Sequence, residues 1–298
     1  MDKAVKQHFG LSWNNARAWV ETGKVFLDGN RETDLALIVR EGMRIELRMG
    51  APKVKPASDL DPKNVVYFDN EIVVVNKPAD VMTVPHPQSE ETATLDRMTL
   101  DHLRIVDKKS KLNRASLGVV HRIDKDTSGL VVFTRAYSAL QKLSTQFREH
   151  AIERKYYAIV NGKITNQTVN NRLVRDAKGD GIRGAVPKGT VNKQGELLGR
   201  RAVTHFEVVE ELKGATLVAC RLETGRTHQI RIHLSELGNP IVGEQVYVRS
   251  YKEPLIEAGR VMLHAAELGF IHPGSGKQVK WEQALPKDFK KTLNSLKK

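Results

Sequence analysis

From residue 64 onward the chain runs through short strand-like stretches with few helical segments between them, and this pattern limits the fold more than any other feature. VVYFDNEIVVVNKP (65–78) holds two runs of β-branched and aromatic residues around an Asp-Asn turn, and Pro78 closes the second. KYYAIVNG (155–162), RAVTHFEVVEE (201–211) and ATLVACRLETG (215–225) run apolar or alternate as strands do. SALQKLSTQFREH (138–150) alone in this region has plain helical spacing, with apolar residues at 140, 143 and 147 and Arg and His at its end. Strands outnumber helices and do not alternate with them one for one. The expected fold is therefore α+β around a largely antiparallel mixed sheet, not a doubly wound parallel one.

Residues 1–55 read as a separate small α+β module running into a linker. Ser12 is placed to cap a helix that carries Ala16, Trp19 and Val20 on one face, and Gly23 ends it. KVFLDGN leads a short strand into an Asp-Gly turn, and LALIVREGMRIELR is expected to close the module as strand, turn, strand. The stretch 49–63 has three prolines and reads as a linker. The larger domain is expected at 64–290, with a basic tail at 291–298.

Charge narrows the function. The 298 residues carry 48 Lys and Arg against 35 Asp and Glu, a formal net charge of +13, which attracts polyanions. No apolar run approaches the roughly 18 residues of a membrane span, and the first residues lack a secretory pattern, so no membrane partner and a cytoplasmic setting are expected. The single cysteine, Cys220, excludes an internal disulfide and a multi-cysteine zinc site, and its apolar run predicts a buried, inert thiol. GDGIRG (179–184) has the letters of a dinucleotide fingerprint without the strand and helix that make it work. On a strand, the two histidines of RTHQIRIH (226–233) would face opposite sides, so no metal site is expected there. No phosphate-loop or nucleophile-elbow motif is present.

HRIDKDTSGL (121–130) crowds titratable and turn-forming residues between two apolar stretches. Alone, it could be a turn in which Asp124 accepts backbone hydrogen bonds. The order of HRIDKDTSGL, KYYAIVNG, LETGRTHQIRIHLSELGNPIVG (222–243) and RVMLHAAELGF (260–270) changes that reading. Together they closely resemble the RluA-type pseudouridine synthases over about residues 64–273. The N-terminal module also resembles, less specifically, the ribosomal S-four-like RNA-binding fold.

The resemblance implies an isomerase that turns uridine into pseudouridine in structured RNA, most often large-subunit ribosomal RNA, with transfer RNA next. It implies no cofactor and no metal, because the isomerisation is redox-neutral, and the protein is expected to act as a monomer. Asp124 matches the family's catalytic aspartate, and either addition to C1′ or removal of the C2′ proton stays open. Arg231 is implied as its ion-pair partner, and Tyr156 as the ring that stacks on the base and relays a proton. Arg122 would fill the space of the flipped nucleotide, and Leu263 would form an apolar pocket wall. His121 would support the loop, and Thr127, Ser128 and Gly129 would shape it. Arg17 and Lys24 are the expected phosphate contacts of the module, while Arg226 could touch phosphate or be an ordinary surface arginine. Two positions depart from the family pattern: Asp80 stands where glycine is common, and Glu244 begins a stretch where aspartate is more usual. A non-catalytic ribosome-assembly factor on the same fold is one rival. A hydrolase pairing Asp124 with Asp126 or Glu223 is another.

Overall fold

The computed structural model describes every residue except 34, 36, 52–59, 86–92, 108–115, 176–181, 187–188, 193, 249–250 and 298. Most of the expected linker and the first half of GDGIRG thus lie outside the described residues. The chain divides into two compact units, residues 1–62 with 95–117, and residues 63–94 with 118–298.

The first unit follows its local signals closely. Helix α1 (Asp2–Phe9) ends at left-handed Gly10. Helix α2 (Trp13–Glu21) starts where the Ser12 hydroxyl accepts from the Asn15 N–H at 3.2 Å, and it buries Ala16 and Val20. Strands β1 (Val25–Leu27) and β2 (Asn30–Glu32) join through Asp28 and Gly29, which both have positive φ as a tight hairpin requires. Strand β3 (Ile45–Leu47) pairs with the other side of β1. Among the described residues of 35–48, Ile45–Leu47 forms a strand and the first arm of the expected hairpin does not. The carbonyls of Leu35 and Leu37 accept from the backbone nitrogen of Met1 instead of from a neighbouring strand. Leu35, Leu37 and Val39 still pack on the cluster of Val5, Ala16, Val20 and Val25. Helix α3 (Leu95–Val106), which the sequence reading passed over, belongs to this unit, and its Arg104 pairs with Glu21 at 2.9 Å.

The second unit is built on one large sheet. Its strands are β4 (Val65–Phe68), β5 (Ile72–Lys77), β6 (Gly118–Val119), β7 (Ser128–Thr134), β8 (Glu153–Asn161), β9 (Gln167–Val174), β10 (Gly184–Val186), β11 (Arg200–Leu212), β12 (Ala215–Leu222), β13 (Leu263–Ile271) and β14 (Gln278–Glu282). They lie in the order β10-β9-β11-β12-β8-β13-β7-β5-β4, with β14 on β13 and β6 on β7. The pairings are antiparallel except β7 with β13, which run parallel through His264–Ser128 and Ala265–Gly129. Beyond those two pairs the strands diverge, and β6 and β14 take up the freed edges. Helix α4 (Tyr137–Arg148) sets Leu143 in a core with Ile72, Val74, Leu130, Val132, Leu268 and Phe270, which recur at every second position of their strands. None of the described helices is long and apolar enough to cross a membrane.

Two sequence expectations change here. RTHQIRIH does not continue as a strand but winds into helix α5 (Gln229–Glu236), with every residue from Gln229 to Leu234 buried. A helix buried on all sides lacks an amphipathic stripe, and its I-R-I-H letters imitate a period of two. The tail expected at 291–298 is largely helix α6 (Lys287–Ser295), because Phe289 and Leu293, four residues apart, are buried on one face.

The β7–β13 contact depends on Gly129. Its φ is 117°, and a Cβ there would stand 2.2 Å from the Ala265 carbonyl oxygen. Gly129→Ala is therefore expected to destabilise the fold by more than about 2 kcal/mol, read as a lowered midpoint in urea unfolding. A midpoint equal to the parent's would show that the strands can part without loss.

Candidate active site

The loop between β6 and β7 presents Asp124 on a backbone held from several sides. The Thr127 N–H donates to the Asp124 carbonyl at 3.1 Å and closes a turn. The Thr83 hydroxyl donates to the Ile123 carbonyl at 2.8 Å. Lys77, fully buried, donates to the carbonyls of Lys125, Pro78 and Val81 at 2.7, 2.9 and 2.6 Å. Burial depresses Lys77 to about 7, against the pull of Asp124 and Asp126. Arg260 donates to the carbonyls of Asp126 and Leu263 and to the Ser128 hydroxyl, and pairs with Asp288 of α6 at 2.6 Å. His121 accepts from the Val132 N–H at 3.0 Å and stacks on Phe147, in the supporting place expected of it. Asp80, φ 63°, occupies a left-handed position that aspartate tolerates and glycine takes without strain, which accounts for its departure from the family pattern.

Helix α5 divides its motif between two faces. Gln229 and His233, four apart, turn to the sheet: Gln229 bonds Val203, Thr204, Thr224 and Arg226, and His233 bonds Thr204 and Asn171. His228 and Arg231, three apart, turn to Asp124, with His228 Nε2 3.8 Å from Oδ1 and Arg231 Nη1 3.7 Å from Oδ2. Arg231 is thus beside Asp124 as the resemblance implies, but its two-pronged hold is on Glu244, through Nε at 2.7 Å and Nη2 at 2.8 Å. Burial alone would raise the Glu244 carboxyl, yet Arg231 and the N–H groups of Val246 and Tyr247 hold it below the usual range. The unusual Glu244 is therefore the residue that aims Arg231. Sequence reading noted the position without seeing this role.

Five residues lie in one row across the sheet: Lys77, Gly129, Ala265, Tyr156 and Cys220. Tyr156 is buried in that row, and burial, with the charge of Asp124 adding to it, pushes its phenol up to about 12. It stays protonated near neutral pH, so it can stack and pass on a proton but does not begin as a phenolate. Arg154, on the same strand, is desolvated, donates to the Glu223 carbonyl at 3.0 Å and was missed in the sequence. Leu263 is 3% exposed at the start of β13, and Arg122 is exposed two residues before Asp124. Cys220 is buried, which pushes its thiol up. Glu223, a candidate second carboxylate, is engaged by Arg201 and His205.

The phosphate contacts expected in the first unit fare differently. Arg17 is half-exposed and pairs with Asp2 at 2.9 Å. Lys24 is buried, and its ammonium donates to the carbonyls of Met49 and Ala51. Lys24 is a strut of the unit, so the phosphate role is withdrawn from it. Arg226 donates from Nε to the Arg201 carbonyl at 3.0 Å.

The structure thus gathers an aspartate on a fixed loop, an arginine against it and a buried tyrosine in the adjoining row. Residues 71–236 match the RNA pseudouridylate synthase family. The chain belongs to that family, and it is an isomerase that makes pseudouridine in RNA. Among its relatives, ribosomal large subunit pseudouridine synthase D of Zymomonas mobilis is 39% identical over 82% of this chain and 76% of its own length. The protein of the same name from Haemophilus influenzae is 32% identical over 96% of this chain and 87% of its own. The fold is shared with human RNA pseudouridylate synthase domain containing 4, with TM-score 0.57 and 21% identity over 78% of this chain and 92% of that one.

Two predictions concern the supports of the site. Glu244→Gln removes the carboxylate that holds Arg231 through two hydrogen bonds and leaves the buried guanidinium only the more distant Asp124 at 3.7 Å, and it is expected to destabilise the protein by about 3 kcal/mol at neutral pH. The lowered carboxyl of Glu244 contributes stability above its unfolded value of 4.5, lost as pH falls through the folded value. The difference between parent and variant in urea unfolding should accordingly shrink toward pH 3; a constant gap would contradict the ion-pair account.

Burial also lowers His121 to about 3 and His233 and His264 to about 4, against an ordinary value of 6.5. The unfolded chain takes up protons that the folded one refuses, so stability is expected to fall as pH drops below about 6.5. The loss at pH 5.5 is roughly 1 kcal/mol for each histidine. Urea midpoints at pH 7.5 and 5.5 that coincide would refute it.

Proposed function

We propose that this enzyme modifies uridines of large-subunit ribosomal RNA, with Asp124 as the carboxylate that acts on the nucleoside. The observation that carries the reading is Asp124 itself, on a loop pinned by Lys77 and Arg260, with Arg231 3.7 Å away. The names of the relatives and the net charge of +13 support the choice of RNA.

In this reading the N1–C1′ bond breaks, the uracil turns, C5 bonds to C1′, and the C5 hydrogen leaves as a proton while N1 regains one. No electrons are gained or lost overall. Asp124 either adds to C1′ or takes the C2′ proton, and Arg231 favours the ionised carboxylate that both routes need. Tyr156 stacks on the base and relays the C5 proton. Arg122 enters the space the flipped uridine leaves, and Leu263 walls the pocket. Residues 1–55 serve as an S-four-like RNA-binding module, with Arg17 among its phosphate contacts.

The test is tritium release from C5-labelled ribosomal RNA under single turnover, beside a binding measurement at matched salt. Asp124→Asn should bind RNA normally and lose turnover by at least about 10²-fold, while Asp126→Asn, with the same chemistry two positions on, retains most of it. An active Asp124→Asn, or equal losses at both aspartates, overturns the assignment. Mapping pseudouridine in cells with and without the gene identifies the RNA, and an unchanged large-subunit map overturns the proposed substrate.

A further inference from the structure

We infer that His228 is a positioning residue for Asp124, presenting a neutral ring N–H to the carboxylate, and that Tyr247 selects the tautomer that does so. The inference rests on the proposed role of Asp124. His228 Nε2 and Arg231 Nη1 stand at 3.8 and 3.7 Å from different oxygens of the carboxylate, so each oxygen has its own donor within a short closing movement. Fixing both oxygens restricts rotation of the carboxylate about its last bond and aims one lone pair at the nucleoside.

The tautomer follows from the other side of the ring. His228 Nδ1 lies 2.7 Å from the Tyr247 hydroxyl. If Nδ1 carried the proton, the Nε2 lone pair would face an ionised carboxylate, which is repulsive. If the phenol donates to Nδ1, the proton sits on Nε2 and points at Asp124. Burial keeps the phenol protonated, raised to about 12, so the donor is always present. Burial also lowers His228; Arg231 and Arg183 act in the same direction, while Asp124 and Glu244 oppose it. Tyr247 further packs beneath the Arg231 guanidinium at 5.3 Å, and one ring thereby supports both donors.

The backbone gives an independent sign that the ring is aimed. His228 caps α5 with φ 57° and ψ 19°, a left-handed conformation that disfavours a non-glycine residue by roughly 1 kcal/mol. Such strain persists where surrounding structure enforces it, and it is concentrated at functional sites. Here it starts the helix so that residues 228 and 231 share the face turned to Asp124.

The test compares His228→Leu, His228→Gln, Tyr247→Phe and Asp124→Asn with the parent, using a large-subunit ribosomal RNA transcript carrying C5-tritiated uridine. Single-turnover rate is followed against pH, RNA affinity is measured at matched salt, and urea unfolding confirms each fold. His228→Leu should slow the reaction by roughly 10- to 100-fold, the range for loss of an orienting hydrogen bond, with affinity nearly unchanged. Its acid limb should differ from the parent's, because a donor beside the carboxylate has been lost. His228→Gln, whose amide N–H reaches the place of Nε2, should recover much of the rate and return the limb. Tyr247→Phe should slow the reaction without weakening RNA binding. A normal rate and acid limb in His228→Leu, or a loss of affinity that matches the loss of rate, overturns the inference. A Tyr247→Phe enzyme identical to the parent overturns the tautomer selection. Should His228→Leu not fold, the Gln and Phe variants decide the matter. An inactive Asp124→Asn beside an unaffected His228→Leu refutes this inference alone, whereas an active Asp124→Asn removes the reading beneath it.

Discussion

The second unit turns on a contact between two backbones. Strands β7 and β13 meet in parallel for only two residue pairs, and they can meet because position 129 has no side chain. That brief contact brings the start of β7 to the start of β13, one strand from the middle of β8. The loop before β7 therefore arrives beside Leu263 and in the row of Tyr156. Antiparallel neighbours on hairpins would have placed strand ends beside strand ends in chain order. The single parallel pair brings together segments more than a hundred residues apart and opens a fork, with β6 and β14 satisfying the edges that divergence exposes.

Around that contact the polar work is done by cations on carbonyl oxygens more than by ion pairs. Lys77 takes three carbonyls and Arg260 three more, and successive peptides at 125 and 126 are each held by one of them. A buried cation of this kind carries a desolvation cost that a carbonyl cage lessens and a nearby carboxylate offsets further. The charges of Asp124 and Asp126 act on Lys77 in that sense. The arrangement fixes the loop without using the Asp124 side chain, which stays turned toward Arg231 and His228. Glu244 does for Arg231 what the carbonyls do for the loop: it satisfies most of the guanidinium and leaves Nη1 toward Asp124.

Much of this was legible from letters alone because the signals were local. Ser12 caps its helix, Asp28-Gly29 turns its hairpin, and the α+β pattern with a mixed sheet follows from runs of β-branched residues. The four ordered motifs brought Asp124, Tyr156 and Arg231 forward together. What escaped was set by tertiary partners. Helix α5 is buried on every side, so its pattern carried no face. Leu35, Leu37 and Val39 pack on the cluster of helices α1 and α2 without entering a strand, an outcome set by contacts that no window of sequence contains. Lys24 looked like a phosphate ligand because its burial depends on carbonyls at 49 and 51. Glu244, Lys77 and Arg260 act through residues remote in sequence, and their letters alone do not distinguish them from surface charges.

Helix α5 has a consequence for how such a chain can vary. One residue inserted between Gln229 and Arg231 turns everything after it by about 100° and advances it by about 1.5 Å. Gln229 and His233 would then no longer share the sheet-facing side, nor His228 and Arg231 the side facing Asp124. A change of letter at any of these positions removes that residue's own contacts, whereas a change of count there displaces both faces at once. The spacing of this segment therefore constrains the site as much as its side chains do, because the helix Gln229–Glu236 carries both faces in one count.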